Sequence, residues 1–222
     1  MHLHLAQYNT ATLRAPLDDP ASASYVALLD EVNAAAEASP GFVWRHGIDS
    51  RDPSTTVYDD DPLRLVNASV WESLGHLRDY AYRGLHRDVF RRRREWFDAS
   101  GAVMWWIPAG TIPTLAECVE RLAFLEQHGA TPYGFATGQR VEQLVIVPVA
   151  HDSSEVTSIA GAAPGAGTVH VAVLEGRVIG AAQRSSSAAV TVWGVDAAEH
   201  PWLEPALRVH AAVAPERPAG AT

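Results

Sequence analysis

Between Leu74 and Phe97, Tyr82, His86, Val89, Arg93 and Trp96 recur at i, i+4, i+7, i+11 and i+14. On one continuous helix that spacing puts all five on one face. His86 there is a candidate general base, because a free imidazole titrates at about pH 6.5. Arg93 is a candidate anion anchor or charge stabiliser. Asn9 and Asn67 stand in alternating, half-apolar stretches, where their amides can donate to a developing oxyanion. Trp44, Trp71 and Trp106, with Tyr82 and Trp96, are candidate walls of a small-molecule pocket. Trp105 and Trp106 are neighbours, so on a strand they point to opposite faces. The competing reading is structural: an interface hydrogen bond for His86 and Arg93, plain core for the tryptophans, turn or edge bonds for the asparagines.

Composition removes several chemistries. All 17 basic residues are arginines. Without lysine there is no Schiff base and no P-loop lysine. Cys118 is the only cysteine, which excludes disulfides within the chain, iron–sulfur clusters and cysteine-based zinc sites. A net charge of −9 argues against nucleic acid as a partner. The run Arg91–Arg94 sweeps about 300° of a helix, so it forms no single basic patch. His2 and His4 share a strand face but make a poor metal site, and Asp59, Asp60 and Asp61 read as a solvated turn. No GxSxG and no Ser-His-Asp pattern is present. No apolar run reaches the roughly 18 residues of a membrane span, and the Met1 end has no signal-peptide pattern. The expectation is a soluble, cytoplasmic protein without a membrane partner.

These residues need elements to hold them. His2–Leu13 alternates as a strand, and PLDDP (16–20) leads into a helix over Ser24–Ser39 that Pro40-Gly41 stops. Phe42–Ile48 and Leu63–Trp71 read as strands, Leu74–Phe97 as a long helix, Val103–Pro108 as a strand and Thr114–His128 as a helix. Strand–helix–strand–strand–helix–strand is the ferredoxin-like arrangement, an α+β fold with helices on one sheet face. A second copy covers the other face in a homodimer; the alternative is that residues 141–217 fold back over it. The domains are therefore 1–138, the ferredoxin-like α/β-barrel domain, and 139–222, a small β-rich extension with a frayed tail. In the extension Val141–Val149 is a strand, 152–161 a short helix and 161–167 a flexible connector. Thr168–Gln183 is a hairpin turning at Glu175-Gly176, and Ala189–Val195 and Leu207–Val213 are further strands.

Six ordered stretches carry a family resemblance: LAQYN (5–9), APLDDP (15–20), ASPGFVWR (38–45), VNASVWES (66–73), YRGLHRDVFRRRREWF (82–97) and WWIPAGTIPT (105–114). Through them residues 3 to 137 resemble a bacterial family numbered 3291 among the domains of unknown function. The resemblance implies the dimeric α/β-barrel superfamily, whose members include cofactor-free monooxygenases of antibiotic biosynthesis, haem-degrading enzymes, and small isomerases and cyclases. Where this family usually has PAGH, the chain has PAGT, with Thr111 in the histidine's place. Alignment on VWES (70–73) puts the axial histidine of the haem-degrading relatives near Arg91, not at His86, so haem ligation has no support. Residues 141 to 220 more faintly resemble an acetyl-CoA-dependent N-acetyltransferase through VAVLEGRVIGAAQ (171–183) and VAPERPAG (213–220). The glycine-rich turn and helix that hold pyrophosphate do not follow before Thr222, so no acetyl-CoA binding is expected.

The reading is a small-molecule enzyme of specialised metabolism. It has no tightly bound organic cofactor and no metal. Its chemistry is acid–base, as in a cyclase or isomerase, or cofactor-free oxygenation, on a hydrophobic metabolite. The alternative is a non-catalytic ligand-binding protein using the same pocket.

Overall fold

A computed structural model describes residues 2–46, 61–150 and 168–214. The end of the second expected strand, Asp59 and Asp60, the helix over 152–161, the connector at 161–167 and the tail beyond 214 lie outside the described residues. The chain divides into two compact units. One comprises residues 2–46, 61–104 and 109–115; the other comprises 105–108, 116–150 and 168–214.

The first unit contains β1 (Leu3–Leu13), α1 (Ala23–Glu37), β2 (Phe42–His46), β3 (Arg64–Trp71), α2 (Leu74–Tyr82), α3 (Gly84–Arg92) and most of β4 (Phe97–Pro108). The strands lie in the order β2-β3-β1-β4. β3 runs antiparallel to β1 and to β2. Arg14 N–H donates to the Trp96 carbonyl and Ala109 N–H to the His2 carbonyl, so β4 is antiparallel to β1 as well. This is the ferredoxin-like α+β fold. α1 follows a short 3-10 turn, Pro20–Ser22, capped by Asp19, whose carboxylate accepts from the Ala21 N–H. The β1–β3 register opposes Leu5 to Trp71, Gln7 to Ser69, Asn9 to Asn67 and Ala11 to Leu65. Alternation puts these residues on one face. Leu13 and Leu65 pack with Leu29 of α1, which identifies that face as the one under the helices. Tyr8, Val66, Ala68 and Val70 point the other way and are buried too.

The expected single helix from Leu74 to Phe97 is two helices and a turn. α2 is capped by Ser73, whose hydroxyl accepts from the His76 N–H, and it stops at Arg83, which is extended (φ −121°, ψ 159°). α3 begins at Gly84 with φ +55°, a left-handed value that glycine tolerates without steric cost. A 3-10 turn, Arg93–Glu95, then feeds β4 at Phe97, six residues ahead of the expected start. Glycine therefore breaks the run where the i, i+4 count carried straight through.

The second unit contains α4 (Leu115–His128), β5 (Leu144–Ala150), β6 (Thr168–Leu174), β7 (Arg177–Arg184), β8 (Val190–Trp193) and α5 (Leu203–Val213), all but the first residue of α4 falling within it. Its strands form an antiparallel sheet in sequence order. The hairpin turns at Glu175-Gly176, both at positive φ, the two-residue turn whose twist matches the strands. The expected strand at Leu207–Val213 is instead part of α5. Leu203, Ala206, Leu207, His210 and Ala211 are buried at helical spacing, a period that a seven-residue window does not reveal. Phe124 of α4 and Tyr133 share one core with Leu144, Ala172, Leu203 and Leu207. Among the described residues no helix is long and apolar enough to cross a membrane.

Candidate functional site

The site is built on Trp71, 1% exposed at the end of β3 on the face under the helices. Tyr80 of α2 stacks on its indole at 5.1 Å, and Phe42 of β2 meets it edge-on at 5.4 Å. Tyr80 is anchored to α1 by a hydrogen bond from its hydroxyl to the Val32 carbonyl (3.3 Å). Burial pushes its phenol up to about 12, partly opposed by the nearby Arg45 guanidinium. His86, early in α3, packs on Tyr80 with ring centroids 4.7 Å apart.

The break between α2 and α3 gives His86 its chemical state. Its Nδ1 lies 3.0 Å from the Ala81 carbonyl oxygen. A carbonyl only accepts, so Nδ1 carries the proton and Nε2 presents the lone pair. Burial lowers the imidazole pKa below 6.5, while the Ala81 bond works the other way. His86 is therefore a neutral imidazole of fixed tautomer at neutral pH.

Polar groups on the same sheet face continue from Trp71. Its Nε1–H donates to Ser69 Oγ (2.9 Å), and the Ser69 hydroxyl donates to Gln7 Oε1 (2.9 Å). An indole N–H can only donate, so the direction of this chain is set. The Gln7 amide oxygen is thereby used as an acceptor, and its nitrogen remains a donor. Arg45 stands opposite Ser69 across β2 and β3, on this face, with its Nε bonded to Glu37 at 2.7 Å and 16% of its side chain exposed.

The expected residues separate into groups. Trp71 and His86 come together through Tyr80. Asn9 and Asn67 oppose each other on the helix side of the sheet. They stand four residues along β3 from Trp71, about 13 Å at a strand's rise. Trp44 pairs with Val70, so it lies on the opposite face, where it stacks with His46 at 6.3 Å. A bulge between Phe42 and Trp44 causes this change of parity. Tyr82 is 50% exposed at the end of α2. Arg93 donates to the Phe90 carbonyl and lies 4.2 Å over the Phe90 ring, itself 50% exposed. Trp96 is buried against Tyr25, with its Nε1–H donated to Ser24 Oγ. Trp106 falls in the second unit, its Nε1 without a hydrogen-bond partner among the described residues. Tyr80, Phe42, Arg45, Gln7 and Ser69 were not expected at the site. Gln7 and Ser69 carried a signal, since both share strand parity with Asn9 and Asn67. Among the described residues no group of three or more His, Cys, Asp or Glu could hold a metal ion.

No functionally curated protein matches the chain. Among solved structures, SnoaB, a cofactor-independent oxygenase from Streptomyces nogalater, is 18% identical, with 50% of this chain and 98% of that one covered at a TM-score of 0.34. A protein of unknown function from Nitrosomonas europaea is 10% identical, with 51% and 97% covered at 0.37. A conserved protein from Methanosarcina mazei Go1 is 11% identical, with 47% and 92% covered at 0.37. The family model described as "Domain of unknown function (DUF3291)" matches residues 4–146, more than half of the chain, and the chain belongs to that family.

Proposed function

We propose that the helix face of the first sheet takes a hydrophobic, ionisable small molecule and that His86 Nε2 removes a proton from it. The observation that carries this is the state of His86: neutral, of one tautomer, and packed on the Tyr80–Trp71 stack. Proton abstraction leaves an imidazolium and an enolate or phenolate. The Gln7 amide and the Arg45 guanidinium, both beside Ser69 on the Trp71 face by register, would meet that negative charge. Such an anion is the common first intermediate of acid–base isomerisation or cyclisation and of cofactor-free oxygenation. Antibiotic and other specialised metabolites fit its chemistry. The test is deuterium exchange into a panel of hydrophobic carbon acids, such as aryl β-diketones and anthrones. Wild-type chain should catalyse exchange into one of them, and folded His86→Ala should lose at least about a hundredfold. Equal exchange by both proteins rejects the reading.

The assembly we propose with it is the homodimer that the family resemblance implies. Light scattering at twice the 23.9 kDa chain mass supports it. The sheet face carrying Tyr8, Val66 and Val70 is already buried in a single chain, and a single-chain mass would remove the dimer.

A further inference from the structure

The second unit holds a buried polar cluster that the site above does not use. Arg121 of α4 is 3% exposed. Its Nη1 donates to the Tyr133 carbonyl (2.5 Å) and its Nη2 to Glu117 Oε1 (3.1 Å). The guanidinium lies 3.7 Å over the Tyr133 ring. The Tyr133 ring meets His210 of α5 edge-on at 6.3 Å, and His210 meets His170 of β6 at 5.2 Å. His170 is 5% exposed and His210 7%.

Three nitrogens here have no hydrogen-bond partner among the described residues: Arg121 Nε, His170 Nδ1 and His210 Nδ1. An unsatisfied buried polar atom has lost the hydrogen bonds that water gave it and gained none in return. Three in one cluster ask for a polar guest. The charges around them decide its sign. Arg121 acts on His210, and Arg184 of β7 acts on His170. Of the carboxylates, Glu117 is bonded to Arg121, and Glu120 accepts the Tyr133 hydroxyl. A cation would face two guanidiniums. An anion would meet an Arg121 Nε–H that the two terminal nitrogens already hold in place.

We propose that Arg121, His170 and His210 form a buried receptor for a small carboxylate, one imidazole taking a proton from solvent as the anion binds. The proton completes the balance. The imidazole becomes a second donor, and the buried complex keeps its charge unchanged. Both imidazoles start neutral. Burial lowers His170 to about 4, with Arg184 adding to the effect. Burial lowers His210 well below 6.5, with Arg121 and His170 adding to it. A monoanion is preferred over phosphate because a dianion loses more hydration on entering an interior of low dielectric.

Calorimetric titration of the full chain with sodium acetate tests this, with sodium chloride as the reference salt. It is run in two buffers of different ionisation enthalpy, at about pH 6.5 and one unit higher. Acetate should bind with uptake of about one proton, and its affinity should fall roughly tenfold across that unit. Nitrogen NMR should show one of the two imidazoles protonated at saturation. Folded Arg121→Met should lose binding. If that variant does not fold, the double variant His170→Asn, His210→Asn should lose the proton uptake. Absence of acetate binding at millimolar concentration, an equal response to chloride, or binding without proton uptake would each overturn the proposal.

Discussion

At the residue scale, His86 holds its Nδ1 3.0 Å from the Ala81 carbonyl oxygen. His86 stood out because the i, i+4 count aligned it with Arg93 and Trp96. Its chemistry instead comes from the helix break, which offers the Ala81 carbonyl to Nδ1. Because its folded pKa is lowered, the basic form predominates at about pH 6.5 and above. The rate of any His86-dependent reaction should rise with pH through a value below that and then level off. A rate limb centred above it would assign the base elsewhere. Arg45 and Arg93 separate the two accounts of charge. Arg45 faces the Trp71 side of the sheet, whereas Arg93 is occupied on Phe90. Arg45→Ala should weaken ligand affinity about tenfold or more, and Arg93→Ala should leave it within about twofold, as expected for a charged contact against a surface one. The reverse order in a fluorescence titration would restore Arg93. Arg45 was hidden because a bulge changes strand parity, and nothing in FVWRH marks a bulge.

At the element scale, the strands of the first sheet and α1 were legible from alternation and from the capped PLDDP segment. The break at Gly84 and the helix α5 were not. Both depended on telling a period of 3.6 from a short apolar run, and the second needed residues from Leu203 onward. The buried groups carried by α4, β6 and α5 make stability depend on pH. His170 and His210 are neutral when folded and titrate near 6.5 when unfolded. The unfolded chain thus binds up to two more protons below 6.5, and stability falls as pH falls. Glu120 opposes this. Burial raises its carboxyl from 4.5 to about 7, so its contribution is lost as pH rises through that value. Between 4.5 and 6.5 these three groups alone leave a difference of about one proton, or about 1.4 kcal/mol per pH unit, and the lowered His86 adds to it in the same direction. Glu120→Gln should steepen the measured slope by about 1.4 kcal/mol per pH unit in denaturant titrations. An unchanged slope would mean that Glu120 is ionised in the folded chain.

At the scale of the whole molecule, the β-rich character of the C-terminal part was readable from its valine runs and the Glu175-Gly176 turn. The core it shares with Phe124 and Tyr133 was not, because both lie before the expected boundary at 138. A fragment of residues 141–222 lacks both aromatic side chains and should give poorly dispersed amide resonances. Residues 105–222 restore them and should disperse. A dispersed spectrum from the shorter fragment would show that α4 is dispensable. Neither fragment should bind acetyl-CoA at millimolar concentration in calorimetry.

His86, neutral with its proton on Nδ1, can be observed without a ligand. Long-range proton–nitrogen NMR of the full chain reads this directly, before any substrate is known. The spectrum should show a protonated Nδ1 and a bare Nε2 at neutral pH, persisting on acidification below about 6.5. A His86 that is protonated on Nε2, or doubly protonated at neutral pH, would contradict it.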